Sequence, residues 1–244
     1  MAGGSRFKTD IKGSGKPLLS IITAVFNGGA FMEKTIQSVI AQQNYNIEYI
    51  VIDGGSKDET IDIIKKYEHA IHYWISEPDK GIYDAFNKGW NVASAESFVL
   101  YLGAGDLLKV LPDEKSFKDA DVVYGNVMLG ETTIFRSKVD FRLKLGNTLH
   151  HQALFIKKSL FPFSPFELKY KTYADFDLNQ KLLKRQTKFY YDGKFLSYAL
   201  PGGASQDFQS QESLAIVREN FGPFHAVLAF VYYTAQGIMK KLKV

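Results

Sequence analysis

The apolar run of residues 18–26, Leu-Leu-Ser-Ile-Ile-Thr-Ala-Val-Phe, is the feature that most limits the fold. It is rich in β-branched residues and lacks polar alternation, as a strand buried on both faces does, so it calls for a sheet covered on two sides. Asn27-Gly28-Gly29 ends the run, and Phe31, Ile36, Val39 and Ile40 then recur at helical spacing. The alternation continues with a strand over 48–52 stopping at Asp53, a helix over 60–67, a strand over 71–75, a helix over 84–93 and a strand over 98–102. This order predicts an α/β fold with a mostly parallel central sheet and helices on both faces. Ligands of such sheets bind outside the carboxyl ends of the strands, where Asp53 and Asp106 both fall.

Beyond Asp106 the pattern loosens. Residues 122–127 and 132–136 read as a strand pair across a turn at Gly130, residues 153–156 as a short strand, and residues 175–183 as a helix beginning near Ala174. Asp192-Gly193 lies between two strand-like stretches and predicts a hairpin. Residues 209–244 read as two helices separated at Gly222-Pro223. The expected organisation is a flexible polar leader over 1–17, a domain over 18–205 made of halves 18–106 and 107–205, and a helical C-terminal extension over 206–244.

With 45% apolar residues in 244, the chain can bury a substantial core. Thirty basic against 26 acidic side chains leave a net charge of +4 with no basic stripe before the last residues, which argues against a nucleic-acid partner. The absence of Cys excludes disulfides, thiolate catalysis and Cys-ligated zinc, and is compatible with a cytoplasmic protein.

Four ordered motifs carry a resemblance: Ser20-Ile-Ile-Thr-Ala-Val-Phe-Asn27, Val51-Ile-Asp-Gly-Gly-Ser-Lys-Asp58, the segment from Gly81 to Gly89, and Tyr101-Leu-Gly-Ala-Gly-Asp106. Together they resemble glycosyltransferase family 2, inverting enzymes of the GT-A fold, over roughly residues 18–200, and within it bacterial transferases of colanic-acid, exopolysaccharide or O-antigen synthesis. The resemblance implies a nucleoside diphosphate sugar donor, UDP-linked, a saccharide or lipid-linked saccharide acceptor, and Mn²⁺ or Mg²⁺. It places Thr23, Val25, Asn27 and Asp53 around the nucleotide. An ionised carboxylate suits base N–H and ribose hydroxyl donors, although Asp53 also reads as a turn former. The chain has Gly54 where the family carries a second acid.

In the third motif Phe86 replaces the family's Arg, leaving Lys80 and Lys88 as phosphate partners and Asp84 as a base or ribose contact; Lys88 reads equally as a solvated helix residue. Gly105 and Asp106 occupy the metal-binding acidic motif, with Asp106 as the remaining ligand and Gly105 beside the nucleotide. One carboxylate suffices where phosphate oxygens and water complete the shell. Tyr173-Ala-Asp-Phe-Asp-Leu178 matches the family's Glu-Asp-X-Asp-Leu motif and implies Asp175 as catalytic base, with Asp177 as the fallback; both also suit the first turn of a helix. His151, of the pair His150-His151, is the implied second metal ligand, against a plain structural role. Pro201-Gly-Gly-Ala-Ser205 reads as a segment closing over diphosphate or as a turn.

Residues 224–239 are apolar and aromatic and are followed by Lys240, Lys241 and Lys243. They suit an interfacial helix at the inner face of the cytoplasmic membrane, or one packed on the domain or on a second copy in a homo-oligomer. Two other functions compete: a catalytically silent sugar-nucleotide-binding subunit, motivated by Gly54, Gly105, Ala174 and Phe86, and a nicotinamide-dependent oxidoreductase. The latter is disfavoured because Asn27-Gly-Gly-Ala follows the first strand in place of Gly-X-Gly-X-X-Gly.

Overall fold

The computed structural model describes residues 1–5, 18–42, 45–202 and 210–241. The first half of the chain runs β1 (Ala2–Gly3), β2 (Leu18–Val25), α1 (Gly29–Ile40), β3 (Asn46–Asp53), α2 (Thr60–Lys66), β4 (Tyr73–Ser76), α3 (Ile82–Val92) and β5 (Phe98–Gly103). The second half adds β6 (Leu107–Val110), β7 (Val122–Leu129), β8 (Thr133–Phe135), β9 (Leu154–Lys157), α4 (Ala174–Lys184), β10 (Phe189–Ala199) and α5 (Ser210–Lys241).

All strands join one ten-stranded sheet in the order β1-β4-β3-β2-β5-β9-β7-β10-β6, with β8 on β7. The β4-β3-β2-β5 half is parallel, as the strand and helix alternation requires. The sheet as a whole is mixed, because β9 runs antiparallel to both β5 and β7 and so links the two halves. β2 is buried from Leu19 to Val25 and alternates its side chains between two cores. Ile22 and Ala24 face the layer with Phe86, Trp90, Leu178 and Ile216 of α3, α4 and α5. Leu19, Ile21 and Val25 face Met32, Ile36 and Val39 of α1 and Ile64 of α2. Close approach of α3 to β2 requires Gly89, since a Cβ there would come within 2.4 Å of Ile22.

Two expectations change. The chain start is no leader as far as Ser5: Ala2–Gly3 pairs antiparallel with β4, and Ser5 N donates to Ile71 O at 2.8 Å; residues 6–17 lie outside the described residues. Asp192-Gly193 makes no hairpin, because both flanking stretches pair in parallel with the same strand, β7, and the dipeptide forms a bulge within β10. Asp192 holds that bulge by accepting from Asp113 N, Ser116 Oγ and Lys194 N at 2.8–2.9 Å. The C-terminal segment divides where expected, at Gly222, whose φ of 85° interrupts α5 before Pro223.

Candidate active site

The carboxyl ends of β2, β3 and β5 lie side by side, Val25 opposite Asp53 and Ala24 opposite Gly103. The turns leaving them brace one another. Gly54 N donates to Val25 O and Ala104 N to Ala24 O. Asn27, at φ 48°, donates from its backbone to Ser56 Oγ and accepts from Lys57 N on its side chain. The first turn of α1 has no cap of its own and is closed from the next loop by Asp58 and Thr60, which accept from Gly29 N and Gly28 N.

Several residues expected to touch the nucleotide shape this frame from beneath. Thr23 is buried against the Tyr49 hydroxyl, and Val25 offers its carbonyl to Gly54. Asp53 is fully buried and accepts from Gly55 N, Ser56 N, Ser56 Oγ and Ser76 Oγ, so its carboxylate is spent on the turn. Lys88 pairs with Glu77 and donates to Pro78 O, both at 2.8 Å, which ties it to the 76–79 loop and away from a phosphate role. Asp84 accepts from Lys80 N at 2.9 Å at the start of α3, and Lys80 is exposed beside it.

Sequence reasoning missed two residues here. A Cβ built at Gly54 would lie 2.5 Å from Asp79 Oδ2 and 3.3 Å from the Phe26 ring. The space of the family's second acid is therefore occupied by a carboxylate from the next loop. Phe26 is 63% exposed at the end of β2. The sequence places Phe26 within the buried run, and nothing in its spacing marks either the exposure of Phe26 or the position of Asp79.

Asp106 lies in the turn after β5 and is 6% exposed. Its oxygens accept from Gly103 N at 2.8 Å and Leu200 N at 3.1 Å, joining β5 to the end of β10. Burial raises its proton affinity against the opposing charge of His151 and hydrogen bonds from Gly103, Leu200 and the Gln152 side chain. Gly105 is no ligand platform, because its N–H is taken by Thr35 Oγ1. With φ at +101° and a Cβ position 2.5 Å from Leu200, it also cannot carry the family's acid without strain.

Asp175 opens α4. It accepts from Phe176 N at 2.8 Å and Asn147 Nδ2 at 3.2 Å, while the Tyr83 hydroxyl lies 3.3 Å from Oδ1 and His151 Nδ1 3.5 Å from Oδ2. Burial alone would raise its proton affinity, but the hydrogen bond and charge of His151, the charge of His150 and the Phe176 N–H together lower it. His150 is itself pushed down to about 4 by burial and is neutral at pH 7. His151 Nδ1 thus pairs with Asp175 and the adjacent Gln152 side chain hydrogen-bonds Asp106, so both acids border the 151–152 segment. Phe86, in place of the family's Arg, is fully buried against Tyr101 and Phe166 and supports the His151 ring at 5.4 Å. Asp177 turns away, paired with Lys181 and Asn220.

Among the described residues no group of three or more His, Asp or Glu side chains is arranged to hold a metal. Beside Asp106, however, the buried Gln152 Oε1 has no partner, and His151 is adjacent. That donor set fits a hard cation only if phosphate oxygens and water complete its shell. In the Pro201–Ser205 segment, residues 203–205 lie outside the described residues.

Comparison with known proteins identifies the family and the fold. Residues 20–159 match the model of glycosyl transferase family 2. A PGL/p-HBAD biosynthesis glycosyltransferase, found in Mycobacterium bovis and Mycobacterium tuberculosis, is 33% identical over 179 residues, 67% of this chain and 68% of the relative. S. aureus TarS in complex with UDP-GlcNAc superposes with a TM-score of 0.62 at 17% identity, covering 82% of this chain and 64% of that one. The mannosyltransferase PcManGT of Pyrobaculum calidifontis, with GDP-Man and Mn²⁺, gives 0.60 at 12% identity over 88% and 67% of the two chains. The fold is that of GT-A glycosyltransferases. The chain belongs to glycosyl transferase family 2 and is a glycosyltransferase.

Proposed function

We propose that this chain is an inverting transferase moving a hexose from a UDP-linked sugar to a saccharide or lipid-linked saccharide in surface polysaccharide synthesis. The observation that carries the reading is that Asp175, paired with His151, and Asp106, hydrogen-bonded by the Gln152 side chain, both border the 151–152 segment. Asp175, held ionised, accepts the proton of the acceptor hydroxyl as its oxygen bonds to the anomeric carbon. The bond from that carbon to the diphosphate oxygen breaks, and the nucleoside diphosphate leaves with the electron pair. Asp106, with His151 and Gln152, would hold a Mn²⁺ or Mg²⁺ ion, which when bound supplies positive charge to the leaving diphosphate. Phe26 offers a face on which a nucleobase can stack, and Asp79 accepts from base N–H or ribose hydroxyl groups. UDP and UDP-GlcNAc in the complexes of the TarS structures support a uridine donor.

The exposed apolar face of α5 supports the reading of membrane contact by the C-terminal region. The stretch Ser210–Ala235 is long and apolar enough to cross a membrane by length and composition, yet Ser213, Ile216, Val217 and Asn220 are buried against the domain. Beyond the kink Phe224, Val227, Phe230 and Val231 are 58–70% exposed, as suits a helix lying in the interface at the inner face of the membrane.

The glycines at 54 and 105 favour one second reading, a nucleotide-sugar-binding subunit without turnover. A thermal-shift panel of UDP, GDP and their sugars, with and without Mn²⁺, followed by an assay of diphosphate release, separates the two. Stabilisation by uridine nucleotides with release is expected; stabilisation without release across acceptors supports the silent subunit, and no stabilisation by any nucleotide contradicts both.

A further inference from the structure

The helix that sequence treats as an appendage reaches into the segment entering the catalytic helix. Glu212, in the first turn of α5, accepts from three consecutive backbone N–H groups: Lys171 at 3.1 Å on Oε2, and Thr172 at 2.9 Å and Tyr173 at 2.7 Å on Oε1. α4 begins directly after them and has no side-chain cap of its own. The Thr172 carbonyl, fixed by this grip, accepts the Tyr83 hydroxyl at 2.7 Å, while the same hydroxyl lies 3.3 Å from Asp175 Oδ1. A phenol has one proton to donate, so the carbonyl and the carboxylate compete for it.

We infer that Glu212 is a positioning residue for Asp175: by holding the 171–173 segment it keeps the Thr172 carbonyl as the acceptor of the Tyr83 proton and leaves the carboxylate to the acceptor alcohol. The inference rests on the reading of Asp175 as base. Without Glu212, three N–H groups lose their acceptor, the segment loosens, and the Tyr83 hydroxyl turns to Asp175, which is then a weaker and misdirected base. A second tie, Asn220 Nδ2 to Asp177 Oδ1 at 2.8 Å, keeps α5 on α4 when Glu212 is altered.

The test compares Glu212→Gln with Glu219→Gln, which removes a charge from the same helix where it meets Lys169 and Tyr170 at the surface. In Glu212→Gln, kcat for sugar transfer from the UDP-linked donor is expected to fall at least about tenfold while KM and UDP affinity stay within about twofold. Glu219→Gln should leave all three unchanged. Amide hydrogen exchange over 171–175 should quicken in Glu212→Gln alone, a readout that needs no substrate. In the double variant with Tyr83→Phe, kcat should fall no further than in the worse single variant, because both act through one proton. Unchanged exchange in Glu212→Gln, a loss of UDP affinity matching any loss of kcat, or losses that multiply in the double variant would each overturn the inference. A wild-type protein without turnover but with the expected exchange pattern refutes the catalytic reading and leaves the grip of Glu212 standing.

Discussion

His150 packs edge-on against Phe135, ring centroids 4.4 Å apart, and burial pushes its imidazole down from 6.5 to about 4. The unfolded chain therefore binds more protons than the folded one between those two values, and stability falls as pH drops through that window. The residue as a whole is only partly buried, so the loss is set at about 1–2 kcal/mol, below what the full shift would give. Unfolding midpoints in urea, measured from pH 7 to pH 4, are expected to decline in the wild type and to decline less in His150→Gln. Asp175 adds a loss at lower pH, since its depressed proton affinity favours the fold above the ordinary value of 3.8 and that contribution disappears as the pH falls through the folded value. Asp106 is shifted the opposite way by burial, so the two acids separate in proton affinity, as the proposed division of roles between them requires.

The turns at the strand ends decide which family acids this chain can keep. Gly105→Asp, which restores the missing carboxylate, meets a left-handed φ of 101° and the Leu200 side chain. It is expected to destabilise the protein by about 1–3 kcal/mol without improving metal-dependent stabilisation, as thermal melts with and without Mn²⁺ would read. The elements that periodicity marks, β2 to β5 with α1 to α3, were legible in the sequence because burial on both faces leaves uninterrupted apolar runs. The bulge in β10 was not, because Asp192-Gly193 carries the same local turn chemistry as a hairpin and only the pairing of both flanks with β7 tells them apart. At the site, Asp106, Asp175 and His151 could be marked from their motifs. The burial of Thr23 and Asp53 and the replacement of an acid at position 54 by Asp79 depend on contacts between loops far apart in sequence.

Across the whole molecule α5 joins the catalytic half to an exposed apolar face. Replacing Phe224, Val227 and Phe230 together by Ser should reduce sedimentation with anionic liposomes by about tenfold and leave UDP affinity unchanged; equal sedimentation of the variant and the wild type would contradict interfacial binding. Transfer beside the 151–152 segment, with Asp175 as base, is the reading on which the proposed function rests. The most direct measurement is single-turnover transfer from a UDP-linked sugar by the wild type and by Asp175→Asn, with UDP affinity measured on both. Asp175→Asn is expected to bind UDP as the wild type does and to transfer the sugar at least about a hundredfold more slowly. Transfer at the wild-type rate by Asp175→Asn would contradict it.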